Sequence, residues 1–166
     1  MPFLRSEATS NDFATTADVL EEVVLEYKKL GKEFDNLACI YPTAPFVTAD
    51  RLKDATEKLA ASDADSIMTV VRFSFPPQRA LIVKGGMVTY QYPQYAIARS
   101  QDLEPIYHDC GQFYICDTAE FLKLHSMVTK KTMAYELPEE EVQDIDNMSD
   151  WAIAEAKYKV LYNLGD

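Results

Sequence analysis

Two aspartates stand two positions apart in Gln143-Asp144-Ile145-Asp146-Asn147. In an extended segment side chains alternate across the strand, so both carboxylates point to one side and Ile145 to the other. Each residue advances about 3.3 Å, which sets the two stems roughly 7 Å apart. Oxygens at that separation suit one hard cation such as Mg²⁺, with water or phosphate completing an octahedron. On this reading Asp144 and Asp146 end a buried strand while Ile145 faces a core. A polar strand end whose aspartates cap the next helix is the plainer alternative. His108-Asp109 is a second pair with chemical capacity, because a carboxylate can fix an imidazole's tautomer. A loop histidine bonded to backbone is the preferred reading of that pair. His125 has no partner nearby in sequence and reads as a surface residue. Tyr90, Tyr92 and Tyr95 suit interface packing better than stacking on a base, and Glu139-Glu140-Glu141 is a solvated acidic connector.

These residues need a scaffold, and periodicity supplies one. Val19, Leu20, Val23, Val24, Tyr27 and Leu30 recur at helical spacing, predicting a helix over 17–30 capped by Thr16 or Asp18 and stopped at Gly31. Residues 37–41 predict a short buried strand ending at Pro42. A second helix starts at Thr48, and 66–71 predicts another buried strand. Such alternation points to an α/β sheet with parallel neighbours. Two apolar runs, 80–83 and 87–90, flank Lys84-Gly85-Gly86 and predict a hairpin. Residues 91–108 show no period and read as a loop or arm. Residues 112–116 predict a strand, Asp117 with Glu120 a helix cap, and 133–137 a further strand. Ser149 or Asp150 caps a last helix that Gly165 ends.

Bulk properties bound the answer. The 166 residues, 48% of them hydrophobic, suit one domain over 1–166 with an ordinary core. A net charge of −11 argues against nucleic acid as partner, since a phosphate backbone needs a basic face. Three cysteines without metal-type spacing suit a reducing compartment, with Cys39 an inert buried thiol. No run approaches ~18 apolar residues and no leader pattern opens the chain, so no membrane span and a cytoplasmic location are expected. None of the five glycines lies in a phosphate loop between strand and helix. A parallel sheet lacking its first strand would carry an exposed edge. The expectation is a C-terminal portion of a larger nucleotide-handling domain.

Several blocks together are specific: Pro2-Phe3-Leu4-Arg5 with Ser10-Asn11-Asp12, Ile40-Tyr41-Pro42-Thr43-Ala44-Pro45-Phe46, Arg99-Ser100-Gln101-Asp102-Leu103, Tyr107-His108-Asp109-Cys110-Gly111-Gln112-Phe113-Tyr114, and Asp144-Ile145-Asp146. In order and spacing the chain resembles the acylneuraminate cytidylyltransferases, and among them the pseudaminic acid branch. The resemblance implies a Rossmann-like nucleotide-diphospho-sugar transferase sheet, N-terminally truncated, with a hairpin and arm at 80–108 for homodimerisation. It implies transfer of CMP from CTP to the anomeric hydroxyl of a nonulosonic acid, with release of pyrophosphate and use of Mg²⁺. Asp144 and Asp146 match the metal-binding pair. Arg5 and the Thr15–Thr16 region match positions near the nucleotide. Tyr41 stands where related enzymes often carry a sugar-contacting Gln, with Thr43 beside it. Arg99 matches an arginine reaching across the dimer toward the neighbouring sugar, its guanidinium suited to the sugar carboxylate. Gln112 and Tyr114 are candidate sugar contacts. The family's Arg/Lys-rich phosphate loop, and the helix and strand after it, have no counterpart in this sequence, so poor CTP affinity is expected. The alternatives are a non-catalytic relative that binds an acidic sugar or a partner protein, and a deoxyoctulosonate cytidylyltransferase.

Overall fold

The computed structural model describes residues 2–164. Helix starts are set by side chains that satisfy the unpaired first amides. Helix α1, Thr16–Lys29, opens with a capping box: Thr15 accepts from the Asp18 amide and Asp18 accepts from the Thr15 amide. The cap is thus Thr15, not Thr16 or Asp18, because Asp18 serves as the far half of the box. Gly31, at φ +72°, follows the end of this helix as expected. Thr48 caps α2, Ala49–Ala60, and Asp117 caps α3, Thr118–Leu124, by accepting from the Glu120 amide at 2.8 Å. Helix α4, Met148–Leu161, starts before the expected Ser149 or Asp150. Asn147 is its cap and Asp150 completes the box. The stop expected at Gly165 lies outside the described residues.

The main sheet is mixed. Strands β1 (Asn36–Ile40), β2 (Ser66–Arg72), β5 (Tyr107–Asp117) and β6 (Thr132–Glu136) lie in the order β1-β5-β2-β6. Among the described residues only β2 and β6 are parallel, and β5 runs antiparallel to both neighbours. The expected parallel neighbours are therefore confined to one pair. The reason lies in the connection from β2 to β5, which holds a hairpin and short 3-10 turns rather than a crossover helix. That hairpin, β3 (Leu81–Lys84) and β4 (Met87–Tyr90), pairs Lys84 with Met87 around Gly85 and Gly86, both at positive φ. Its two-residue turn has the backbone twist that hairpins favour. The arm is shorter than 80–108, because Tyr107 and His108 pair with Arg72 and Val71 inside the main sheet.

Segment 143–147, expected to end a buried strand, pairs with no strand among the described residues. Strand β6 ends at Glu136, Pro138 cannot donate to a ladder, and a 3-10 turn at Glu139–Glu141 follows. The acidic pair thus lies on an irregular strap between β6 and α4.

The core joins Ala55 and Leu59 of α2 to Ile67, Val71, Phe113, Ile115, Tyr135 and Leu137. Fully burying an apolar side chain of this size stabilises by about 1.5–3 kcal/mol. Within it the β2–β5 ladder changes register, from Met68 opposite Tyr114 to Val70 opposite Asp109. Thr69, fully buried, sits at the change. Its hydroxyl accepts from the Phe113 amide at 3.2 Å and donates to the Phe113 carbonyl at 3.1 Å. Thr69→Val keeps the shape but leaves both groups unpaired. The expected loss is about 2–4 kcal/mol in urea unfolding; a loss below about 0.5 kcal/mol would show that the hydroxyl does not hold the slip.

Candidate active site

The register change in β5 brings three distant segments together. Gly111, at φ +62°, stands beside it, a conformation that glycine adopts without steric cost. A methyl group there would lie 3.8 Å from the Asp144 carboxylate and 3.7 Å from the Tyr41 ring. The end of β1, the irregular part of β5 and the acidic strap therefore meet at one point. The Tyr41 amide extends the ladder past Ile40 by donating to the Gln112 carbonyl at 3.1 Å. Tyr41 and Tyr114 pack with ring centroids 5.5 Å apart, and Thr16 Oγ1 is 3.4 Å from the Tyr41 hydroxyl. The start of α1 thus touches the same cluster.

Asp144 and Asp146 are both exposed, and neither carboxylate takes a hydrogen bond or ion pair among the described residues. They do not cap α4, since Asn147 and Asp150 do. Among the described residues no cluster of three or more His, Cys, Asp or Glu side chains converges on one point. A pair of unengaged carboxylates is nonetheless a fitting donor set for Mg²⁺, which keeps several waters and takes one or two carboxylates together with substrate phosphates. A cleft of about 410 Å³ lies alongside, with Arg72, His108, Asp109, Asp144 and Lys157 among its walls.

The His108-Asp109 pair resolves in favour of backbone bonding. His108 Nδ1 lies 2.9 Å from the Asp109 carbonyl, while the Asp109 carboxylate accepts from Tyr114 Oη at 2.6 and 2.7 Å and from the Gly111 amide at 2.9 Å. Gln112 is fully buried: its Nε2 donates to the Cys110 carbonyl, and its Oε1 has no partner among the described residues. Tyr114 is buried too, so both candidate sugar contacts form the wall behind Tyr41 and Asp109 rather than an open surface. Thr43 is half-buried just past β1. Arg5 is exposed near α1; its charge adds to the hydrogen bonds from Thr9 and Ser6 that hold the Glu22 carboxyl low. Arg99 lies on the exposed arm in a bidentate pair with Asp102, at 2.7 and 3.0 Å, away from the Asp144 cluster's partners.

His125 is a surface residue, but it has partners that sequence proximity did not reveal. Its Nε2 lies 3.0 Å from Asp18 and its Nδ1 3.1 Å from Glu21, both on α1. Gly111 and Lys157 were not singled out from sequence as site residues, and Asp109 only as a partner for His108. A lone glycine in a strand-like run is a signal for a bulge or a close approach, and it applies to Gly111.

Burial, and then the adjoining Asp109 carboxylate, push the Tyr114 phenol well above the usual tyrosine range. A raised folded-state value means that the protonated phenol contributes stability below the unfolded value, near 10, and that this is lost as pH rises further. Tyr114→Phe is expected to cost about 1–2 kcal/mol at pH 7. The gap to the parent should close by about 1.4 kcal/mol per pH unit above ~10. Urea midpoints for both proteins at neutral and alkaline pH measure this; a constant or widening gap contradicts it.

No protein-family model matches the chain. It is 30% identical over 160 residues to a pseudaminic acid cytidylyltransferase of Campylobacter jejuni, a match that covers 96% of this chain and 69% of that protein. The enzyme of the same description from a second strain is 29% identical with the same coverage. An N-acylneuraminate cytidylyltransferase of Streptococcus agalactiae is 26% identical over 181 residues, covering 98% of this chain and 41% of the relative. The matched span includes the β1 end, the irregular β5 and the acidic strap, and the chain belongs to the family of pseudaminic acid and N-acylneuraminate cytidylyltransferases.

Proposed function

We propose that the chain takes part in transfer of CMP from CTP to a nonulosonic acid of the pseudaminic or sialic type, with pyrophosphate as the second product. The anomeric hydroxyl attacks the α-phosphate, the bond from that phosphorus to the bridging oxygen breaks, and the pyrophosphate leaves. The carrying observation is that Asp144 stands beside Gly111 and Tyr41 and that neither its carboxylate nor that of Asp146 is engaged among the described residues. The relatives' named activities support the same reading. Asp144 and Asp146 would hold Mg²⁺, which when bound supplies charge neutralisation for the phosphates and eases loss of the hydroxyl proton.

Tyr41, with Thr16 at its hydroxyl, borders the space in front of Gly111, where a sugar or ribose can lie against a surface without a side chain, and Thr43 is proposed as a further contact two residues on. Gln112 and Tyr114 hold that wall rigid through the Cys110 carbonyl and Asp109. Arg5 is proposed on the nucleotide side. Arg99 is proposed to reach a sugar only across a homodimer formed by the hairpin and arm. Val83 and Met87 of the hairpin are 66% and 75% exposed, and a lone two-stranded hairpin is marginal in water, which supports burial against a second copy. The runner-up, acidic-sugar binding without catalysis, is distinguished by calorimetry with CTP and sugar added separately.

Pyrophosphate release from CTP in the presence of a nonulosonic acid and Mg²⁺ is the direct test. Asp144→Asn with Asp146→Asn should lower it about 100-fold, without change in the unfolding midpoint, because neither side chain bonds to the fold. Unaltered release in the double variant would remove the pair from the mechanism. In light scattering the chain should have twice the monomer mass; a monomer would take Arg99 out of the site.

A further inference from the structure

We propose that Lys157 of α4 is a positioning residue that sets the acidic strap in place for its metal, an inference that rests on the Mg²⁺ reading of Asp144 and Asp146. Lys157 Nζ donates to the Val142 carbonyl at 2.6 Å and to the Glu139 carbonyl at 3.0 Å. Seven positions earlier on the same helix, Asp150 Oδ2 accepts from the Asp146 and Asn147 amides, each at 3.1 Å. A spacing of two helical turns places Asp150 and Lys157 on one face of α4, and Ala154 between them is buried. One face of one helix therefore ties down carbonyls before the acid pair and amides after it.

Between those ties the strap has little else. Among the described residues, no backbone hydrogen bond joins 143–145 to the body of the protein. The one side-chain bond there is local, from Gln143 Nε2 to the Asp144 carbonyl. A cation that needs both carboxylates at once must find them already placed or meet the cost of ordering the strap. An ammonium suits the upstream tie, because it has three donors for two carbonyls and a long stem that reaches them from the helix. It also brings positive charge to a cleft wall that includes Asp109 and Asp144.

The test reads binding of Mn²⁺ alone, by paramagnetic resonance of the free ion, together with amide hydrogen exchange of the metal-free protein. Lys157→Met should weaken Mn²⁺ binding about 10-fold, the lower end for loss of a partner that orients metal ligands. Exchange should quicken at the hydrogen-bonded strap amides of Val142, Asp146 and Asn147 while the core strands stay protected. Lys157→Arg, which can donate to the same carbonyls, should stay within about threefold of the parent. Parental Mn²⁺ affinity and exchange in Lys157→Met overturn the proposal. Should that variant not fold, Lys157→Gln is measured in its place, and parental values there overturn it equally. Asp144→Asn with Asp146→Asn separates the two levels. If Mn²⁺ binding is lost only in this double variant, the lysine tie fails and the metal reading stands. If the double variant binds as the parent does, the metal reading fails and the lysine inference with it.

Discussion

The hydroxyl of Thr69 bonds to both backbone groups of Phe113 where the ladder between β2 and β5 changes register. Strand β5 lies between β1 and β2, so a change in its course is felt on both sides. A regular β5 would present alternating side chains along its whole length. Here the chain turns through Gly111 at positive φ, and Asp109 folds back onto the Gly111 amide and the Tyr114 hydroxyl. The result is a patch of bare backbone facing Tyr41 and Asp144. Tyr41, Tyr114, Thr16 and Asp144 of the proposed site are arranged around that patch. The buried threonine pairs both backbone groups of Phe113, which the change of register would otherwise leave unsatisfied.

Charge is organised around the same place. The chain carries a net charge of −11, and most of its close ion pairs lie on the surface, where each is worth little on its own. Their role is one of placement. Arg51 holds Glu141 at 2.7 Å at the start of the strap, and Ser74 holds Glu139 at 2.6 Å. His125 stands between Asp18 and Glu21, next to the capping box that begins α1. The acids at 144 and 146 are left outside these pairings, which is how a chain this acidic can still offer two carboxylates to a cation. Helix α4 makes this possible by drawing its cap from Asn147 and Asp150 instead.

The hairpin and the arm stand apart from this arrangement. Among the described residues strands β3 and β4 pair only with each other, and most of their apolar side chains are exposed. Arg99 on the arm finds its carboxylate three residues away in Asp102. Among the described residues this region contributes nothing to the cluster around Gly111 within one chain. No helix among the described residues is long and apolar enough to cross a membrane.

Local chemistry was legible in the sequence. The Gly85-Gly86 turn, the Thr48 and Asp117 caps and the buried strands β2 and β5 follow from periodicity and from residues with strong backbone preferences; β1 was legible as a strand, but as an edge strand it is mostly exposed, with Cys39 alone buried. The short motif blocks carried the family, because their order survives divergence. Features that depend on neighbours distant in sequence could not be read in this way. The cap of α4 moved because Asn147 and Asp150 complete a box, and the acidic pair proved to lie on a strap because Pro138 and the 3-10 turn at Glu139–Glu141 carry the chain away from the sheet after β6. The sense of β5 depends on how the chain returns after the hairpin. The partners of His125 and the ties of Lys157 join residues that share no local pattern. By itself the sequence determined which segments are helix, strand and turn, since backbone sterics and burial act over a few residues. Only the tertiary structure decided that Tyr41, Gly111 and Asp144 meet, because that meeting comes from a register change deep in the sheet, which no local preference encodes.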